Sequence, residues 1–100
     1  MITHVVMFQL KEEANGLSKA ENAKKMKTLL EGLVEKVESL QAMEVGINFN
    51  DSPAAFDVVL TSRHEDREGL KKYADHPAHL EVLSFILSVI ADRKVVDFES

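Results

Sequence analysis

The sequence has no cysteine, two prolines, four glycines and a single tyrosine, and its basic side chains are outnumbered. Without cysteine there is no disulfide, thiolate metal site, iron–sulfur cluster or cysteine nucleophile. The glycines are scattered, so no phosphate-cradling loop and no Gly-x-Ser-x-Gly elbow is present, and no nucleotide cofactor is implied. Twelve Lys and Arg against 17 Asp and Glu give a formal charge of -5. No basic run exceeds Lys24-Lys25 or Lys71-Lys72, which argues against nucleic acid or an anionic membrane as partner. The longest apolar stretch, Leu80 to Ala91, is interrupted by Glu81, Ser84 and Ser88 and is too short to cross a bilayer. Met1 to Phe8 has neither the basic start nor the small-residue cleavage site of a signal peptide. The expectation is a soluble, cytoplasmic, single domain over residues 1–100, with no cofactor and no metal.

What is present is ordinary globular composition: 100 residues, 45% hydrophobic and 29% charged. Residues 2–10 alternate as a strand, with Ile2, His4, Val6, Phe8 and Leu10 on one parity and Thr3, Val5, Met7 and Gln9 on the other. Both parities are largely apolar, which predicts cover on both faces. Lys11 to Gly16 reads as a polar loop. Ser18-Lys19-Ala20-Glu21 has capping-box spacing, and Ala23, Met26, Leu30, Leu33, Val37 and Leu40 recur behind it at helical steps, predicting one helix from 18 to 39. Gly32 lies within it at a cost in propensity.

Val45, Ile47 and Phe49 mark a strand over 42–50, and Asn50-Asp51-Ser52-Pro53 supplies turn chemistry. Phe56, Val58 and Leu60 alternate in a third strand that pairs with it as a hairpin. Asp66 caps a short helix bearing Leu70, Tyr73 and Ala74, and Pro77 suits the first position of the next. From Leu80 to Ile90 that helix is apolar around most of its circumference, which in so short a chain predicts a subunit interface. Residues 93–99 close the chain as a strand.

The order βαββαβ predicts an α+β, ferredoxin-like protomer, one antiparallel four-stranded sheet with helices on one face. The apolar residues of the other face then need a second cover. A homodimer with sheets face to face, closing a dimeric α/β barrel, meets that need.

Tyr73-Ala74-Asp75-His76-Pro77-Ala78-His79 concentrates two of the four histidines and the only tyrosine. An imidazole titrating near pH 6.5 and a phenol that donates to a developing oxyanion suit acid–base chemistry by Tyr73 and His79. The same residues also read structurally, with His76 as an N-cap, His79 bonded to a backbone carbonyl and Tyr73 as a core aromatic. A zinc reading needs a third ligand, which His4 or Asp75 could supply. His4 lies on an apolar parity, where it is either a satisfied core histidine or, beside Phe8, part of a pocket with Tyr73 and His79. His64, within Arg63-His64-Glu65-Asp66, reads as a solvated loop residue. Asp57 is either an edge-facing carboxylate or a lining group.

His4-Val5-Val6-Met7-Phe8, Val45-Gly46-Ile47-Asn48, the Tyr-x-x-His-Pro-x-His run and the terminal Val96-Asp97-Phe98 resemble the stress-responsive A/B barrel domain (Dabb) family over essentially the whole chain. The resemblance implies small dimeric α+β barrels with a ferredoxin-like protomer, many of them without known activity. One branch contains polyketide cyclases in which a tyrosine and a histidine of the signature close a ring by aldol chemistry. The resemblance carries those roles to Tyr73 and His79, and that of a pocket residue to His4. The same branch has a further histidine on its third strand, where this chain places Val58.

The expected function is therefore a homodimeric A/B barrel protein of unassigned activity, with a pocket between sheet and helices for a small apolar or β-keto ligand, lined by His4, Phe8 and the signature residues, His76 included. The alternative is a cyclase- or lyase-like enzyme that uses Tyr73 and His79.

Overall fold

The computed structural model describes residues 1–100 as six strands and three α-helices. Strand β1 (Ile2–Leu10) is followed by a miniature hairpin, β2 (Glu13–Ala14) and β3 (Leu17–Ser18), and by helix α1 (Lys19–Glu31). A single turn of 3-10 helix (Gly32–Glu35) leads on to β4 (Ala42–Ile47) and β5 (Val58–His64). Helices α2 (Arg67–Asp75) and α3 (Pro77–Val89) and strand β6 (Ile90–Glu99) complete the chain. The main sheet has the order β4-β5-β1-β6 and is antiparallel throughout. This is the expected ferredoxin-like α+β topology.

Several features differ from the sequence expectation. Lys11 to Gly16 is not simply a loop, because Asn15 and Gly16 take positive φ, 56° and 76°, and turn β2 back onto β3. Asn-Gly favours this two-residue hairpin turn, since both residues tolerate the left-handed region. Helix α1 ends at Glu31 rather than running to residue 39. Gly32, a poor helix former, is its C-cap, and the chain tightens so that Leu33, Val37 and Leu40 still reach the core. Strand β5 runs on to His64, so His64 is not a solvated loop residue.

Strand β4 ends at Ile47 rather than running to residue 50, leaving Phe49 96% exposed. Strand β5 starts at Val58 rather than at Phe56, and Ile90 opens β6 instead of ending α3. The helix starts hold for plain chemical reasons. Ser18 and Glu21 form the reciprocal capping box. Asp66 accepts from the Gly69 amide at 2.8 Å, capping α2. Asp57 sits at the sheet end as a clamp, accepting from the Leu10 amide at 2.8 Å and lying 3.5 Å from the Lys19 ammonium.

Parity sets the two faces of the sheet. Val6, Phe8 and Leu10 of β1, with Val45, Val58 and Leu60, face the helices and pack on Met26, Leu30, Tyr73 and Ile86. On the opposite face Val5 pairs with Thr61 and Val96, and Met7 with Val59 and Lys94. Met7 there is 43% exposed and Val96 58%. Strand β6 lies at the sheet edge and, apart from Ile90, is exposed along its length, so the helices leave its inner face open. Helix α3 buries Val82, Ile86 and Val89 and leaves Leu80 and Leu87 exposed. No helix of the chain is long and apolar enough to cross a membrane.

Candidate functional site

The open inner face of β6 and the helices above β1 border a cavity of about 520 Å³ that opens to solvent. Val6, Phe8, Leu30, Leu60, Leu83 and Ile86 give it apolar walls, and His4, Tyr73 and His79 bring polar groups to it. Its volume lies within the usual range for a small-molecule site.

The Tyr73–His79 run builds one end of this cavity through a helix break. A residue before proline is steered away from helical backbone, and His76 is extended (φ -67°, ψ 136°). Helix α2 therefore stops and α3 starts with Pro77 at its first turn. The His76 Nδ1 accepts from the Ala78 amide at 3.0 Å and caps α3. His79, one turn later, reaches back across the break and donates from Nδ1 to the Ala74 carbonyl at 3.0 Å. That bond holds the His79 ring 4.4 Å from the Tyr73 ring, centroid to centroid.

Tyr73 is 1% exposed, and its hydroxyl has no hydrogen-bond partner within the chain. An unpartnered buried hydroxyl is uncommon and costly, so it marks a place where an oxygen or nitrogen acceptor is wanted. Three imidazoles surround the phenol: His79, His64 at 5.0 Å and His4 at 6.4 Å between centroids. Each directs Nδ1 to a fixed acceptor. His4 pairs with the Asp97 carboxylate, His64 donates to the Ser39 carbonyl at 3.2 Å, and His79 donates to Ala74. Since a carbonyl only accepts, the neutral rings of His64 and His79 carry their proton on Nδ1 and keep a basic Nε2. In His64 that nitrogen accepts from the Ser62 hydroxyl at 2.9 Å. In His79 it has no partner within the chain.

The electrostatics set protonation states. Burial pushes the Tyr73 phenol far above its ordinary pKa, so it is a proton donor and never a phenolate near neutrality. Burial also lowers the His79 imidazole, against the Ala74 bond, and the charges of His4, Arg93 and His76 lower it further. His64 is lowered chiefly by burial as well. A neutral imidazole therefore stands beside a protonated phenol.

Of the residues singled out from sequence, His4, Phe8, Tyr73 and His79 meet around the cavity. His76 does not line it, because its ring is engaged as the α3 cap. His64 was read as solvated, yet it is wholly buried against Tyr73. The period-two run Val58, Leu60, Ser62, His64 carries the signal, but the charges of Arg63, Glu65 and Asp66 obscure it. Asp97 and Arg93 were also missed as site residues. Their signal is the alternation of Arg93, Val95 and Asp97 opposite Phe8, Val6 and His4. No three of the His, Asp and Glu side chains converge as a metal ion requires.

Fold and site together define a small ferredoxin-like α+β domain with a ligand-sized cavity against its edge strand. The stress responsive A/B barrel domain family matches residues 2–100, and the chain belongs to that family. An uncharacterised protein of Streptomyces coelicolor is 32% identical over 84 residues, 79% of each chain. A stress-response A/B barrel domain-containing protein of Arabidopsis thaliana is 27% identical over 106 residues; the match covers 98% of this chain but only 36% of the plant protein. Among solved structures, a dimeric ferredoxin-like protein of unknown function from Bacteroides fragilis superposes with a TM-score of 0.84 at 25% identity. The match spans 99% of this chain and 95% of that one.

Proposed function

We propose that this chain is a cytoplasmic, homodimeric A/B barrel protein, one domain over residues 1–100, that holds a small apolar or β-keto ligand between sheet and helices. The observation that carries this reading is the buried, unpartnered Tyr73 hydroxyl beside His79 at an apolar cavity of about 520 Å³. The dimer is supported by the exposed apolar outer face of the sheet and by the dimeric Bacteroides structure. His4, Phe8, Tyr73 and His79 are the ligand-facing residues in this reading, and His76 positions His79 by starting α3.

A second reading is favoured by the protonation states. A phenol that stays protonated can donate to a ligand carbonyl, while the neutral His79 Nε2 removes a proton from the adjacent carbon. In a β-keto substrate that pairing generates an enolate, the first step of an aldol-type ring closure. In the lyase-type reverse the enolate is released by C–C cleavage, and His79 returns the proton to its carbon.

Tyr73 is the only tyrosine in a chain without tryptophan, so its fluorescence reports on the cavity alone. Titrating aromatic and β-keto compounds should give a saturable fluorescence change at submillimolar concentration. Linear, unsaturable responses across the panel would overturn the ligand-binding reading. His79→Ala separates the two readings. Binding kept while turnover of a β-keto compound is abolished supports the enzyme, and the absence of turnover in the parent protein excludes it.

A further inference from the structure

The charges around the cavity are not evenly satisfied. Four charged side chains line it: Arg67, Lys71, Arg93 and Asp97. Arg67 is paired with Glu99 at 2.6 Å, Lys71 lies 3.5 Å from Asp75, and Asp97 holds His4. Arg93 alone has no carboxylate partner. Its neighbour Asp92 is turned away, accepting from the Arg93 backbone amide and lying 3.7 Å from Lys94.

Arg93 stands opposite Phe8 in the β1–β6 register and on the same face as Val95 and Asp97. Its guanidinium therefore borders the apolar walls rather than the outer face of the sheet. This is an uncompensated cation at the cavity of a chain whose net charge is -5. The only charge of opposite sign in the lining, Asp97, is already committed to His4. Tyr73 also lines this cavity, and its hydroxyl is buried without an acceptor. A guanidinium offers a planar fork suited to carboxylate or phosphate oxygens, and charge-assisted bonds of this kind are the strong ones.

We infer that the cavity selects an amphipathic anion: an apolar chain that ends in a carboxylate or phosphate held by Arg93, with an oxygen of the ligand accepting from Tyr73. The inference rests on the ligand-binding reading above and narrows it to a class of ligand. Arg93 sets the selectivity, while the apolar walls supply most of the buried contact. Lys71 and Arg67 add cationic field at the same cavity, though each is partly neutralised by its own partner.

The test is calorimetric titration with octanoate, octyl phosphate and the neutral isostere octanamide at one low ionic strength. The parent protein should bind at least one of the two anions roughly tenfold more tightly than octanamide, as expected for a charge-assisted pair at this site. Whichever anion binds more tightly identifies the head group. Arg93→Glu should remove that preference. Arg93→Gln should reduce the preference without reversing the local charge, which guards against a folding defect in the first variant. Lys36→Glu, the same charge change away from the cavity, should leave the preference intact. Equal binding of octanamide and both anions would overturn the anion selectivity while leaving the ligand-binding reading standing. A preference that survives in both Arg93 variants would overturn the role of Arg93. Failure of all three compounds to bind would overturn both readings.

Discussion

At the scale of single residues the unusual feature is a set of aromatic and imidazole rings around a phenol that lacks a partner. His64 is the most deeply placed of the histidines, with both ring nitrogens satisfied by Ser39 and Ser62. Those two bonds describe the neutral ring, and burial holds its pKa below the usual histidine range. His79 is shifted the same way by burial. In the unfolded chain both titrate at about pH 6.5. Below it the unfolded state binds protons that the folded state refuses, so stability is fully present above about pH 6.5 and falls as the pH drops through the folded-state values. The thermal midpoint should therefore be lower at pH 5 than at pH 7, and His64→Gln should show a shallower dependence. A midpoint that does not change across that interval would contradict the burial argument. The carboxylates lowered in the folded state, Glu21 and Glu31, act at more acid pH and leave this window to the histidines.

At the scale of elements, two helix ends do most to shape the site. Pro77 separates α2 from α3, and His76 and His79 stitch the break from opposite sides. The other end is at Gly32, where α1 gives way to a 3-10 turn. Gly32 has ordinary helical backbone (φ -67°, ψ -16°), and a Cβ there meets no atom within 4 Å. Gly32→Ala should therefore stabilise the protein by roughly 0.5–1 kcal/mol, mainly by narrowing the unfolded ensemble. For a domain of this size that corresponds to a rise of about 4 °C in Tm. A fall in Tm on calorimetric unfolding would mean that the turn after α1 needs glycine for a reason its backbone angles do not show.

At the scale of the whole molecule, the sheet has one face under helices and one face in the open. Val5, Met7, Val59, Val96 and Phe98 lie on the open side by register, interspersed with Thr61 and Lys94. A second sheet packed on this surface would remove the exposed side chains from water, each contributing on the order of 1 kcal/mol or more. Sedimentation at micromolar concentration should give a mass near twice 11.2 kDa. Val96→Glu, which places a charge where Val96 neighbours Val5, should shift the mass toward that of a monomer. A parent protein that sediments as a monomer would contradict the assembly.

The residue alternation and helical spacing by themselves determined the βαββαβ order, the caps at Ser18 and Asp66, the helix start at Pro77, and the two-faced character of β1. Those features depend on local periodicity and on side chains that bond within a few positions, so one linear reading captures them. The Tyr73–His79 pairing was legible for the same reason, since six positions across a proline break bring the rings together. His64, Asp97 and Arg93 were decided only by the tertiary structure. His64 and Asp97 enter the cluster, and Arg93 the cavity wall, through strand register, with β5 and β6 flanking β1 from 60 and 90 residues along the chain. Whether the Tyr73 hydroxyl would find a partner, and whether the space beside it would be filled, likewise depended on how helices and sheet packed. Packing is a sum over contacts distant in sequence, and no local pattern records it.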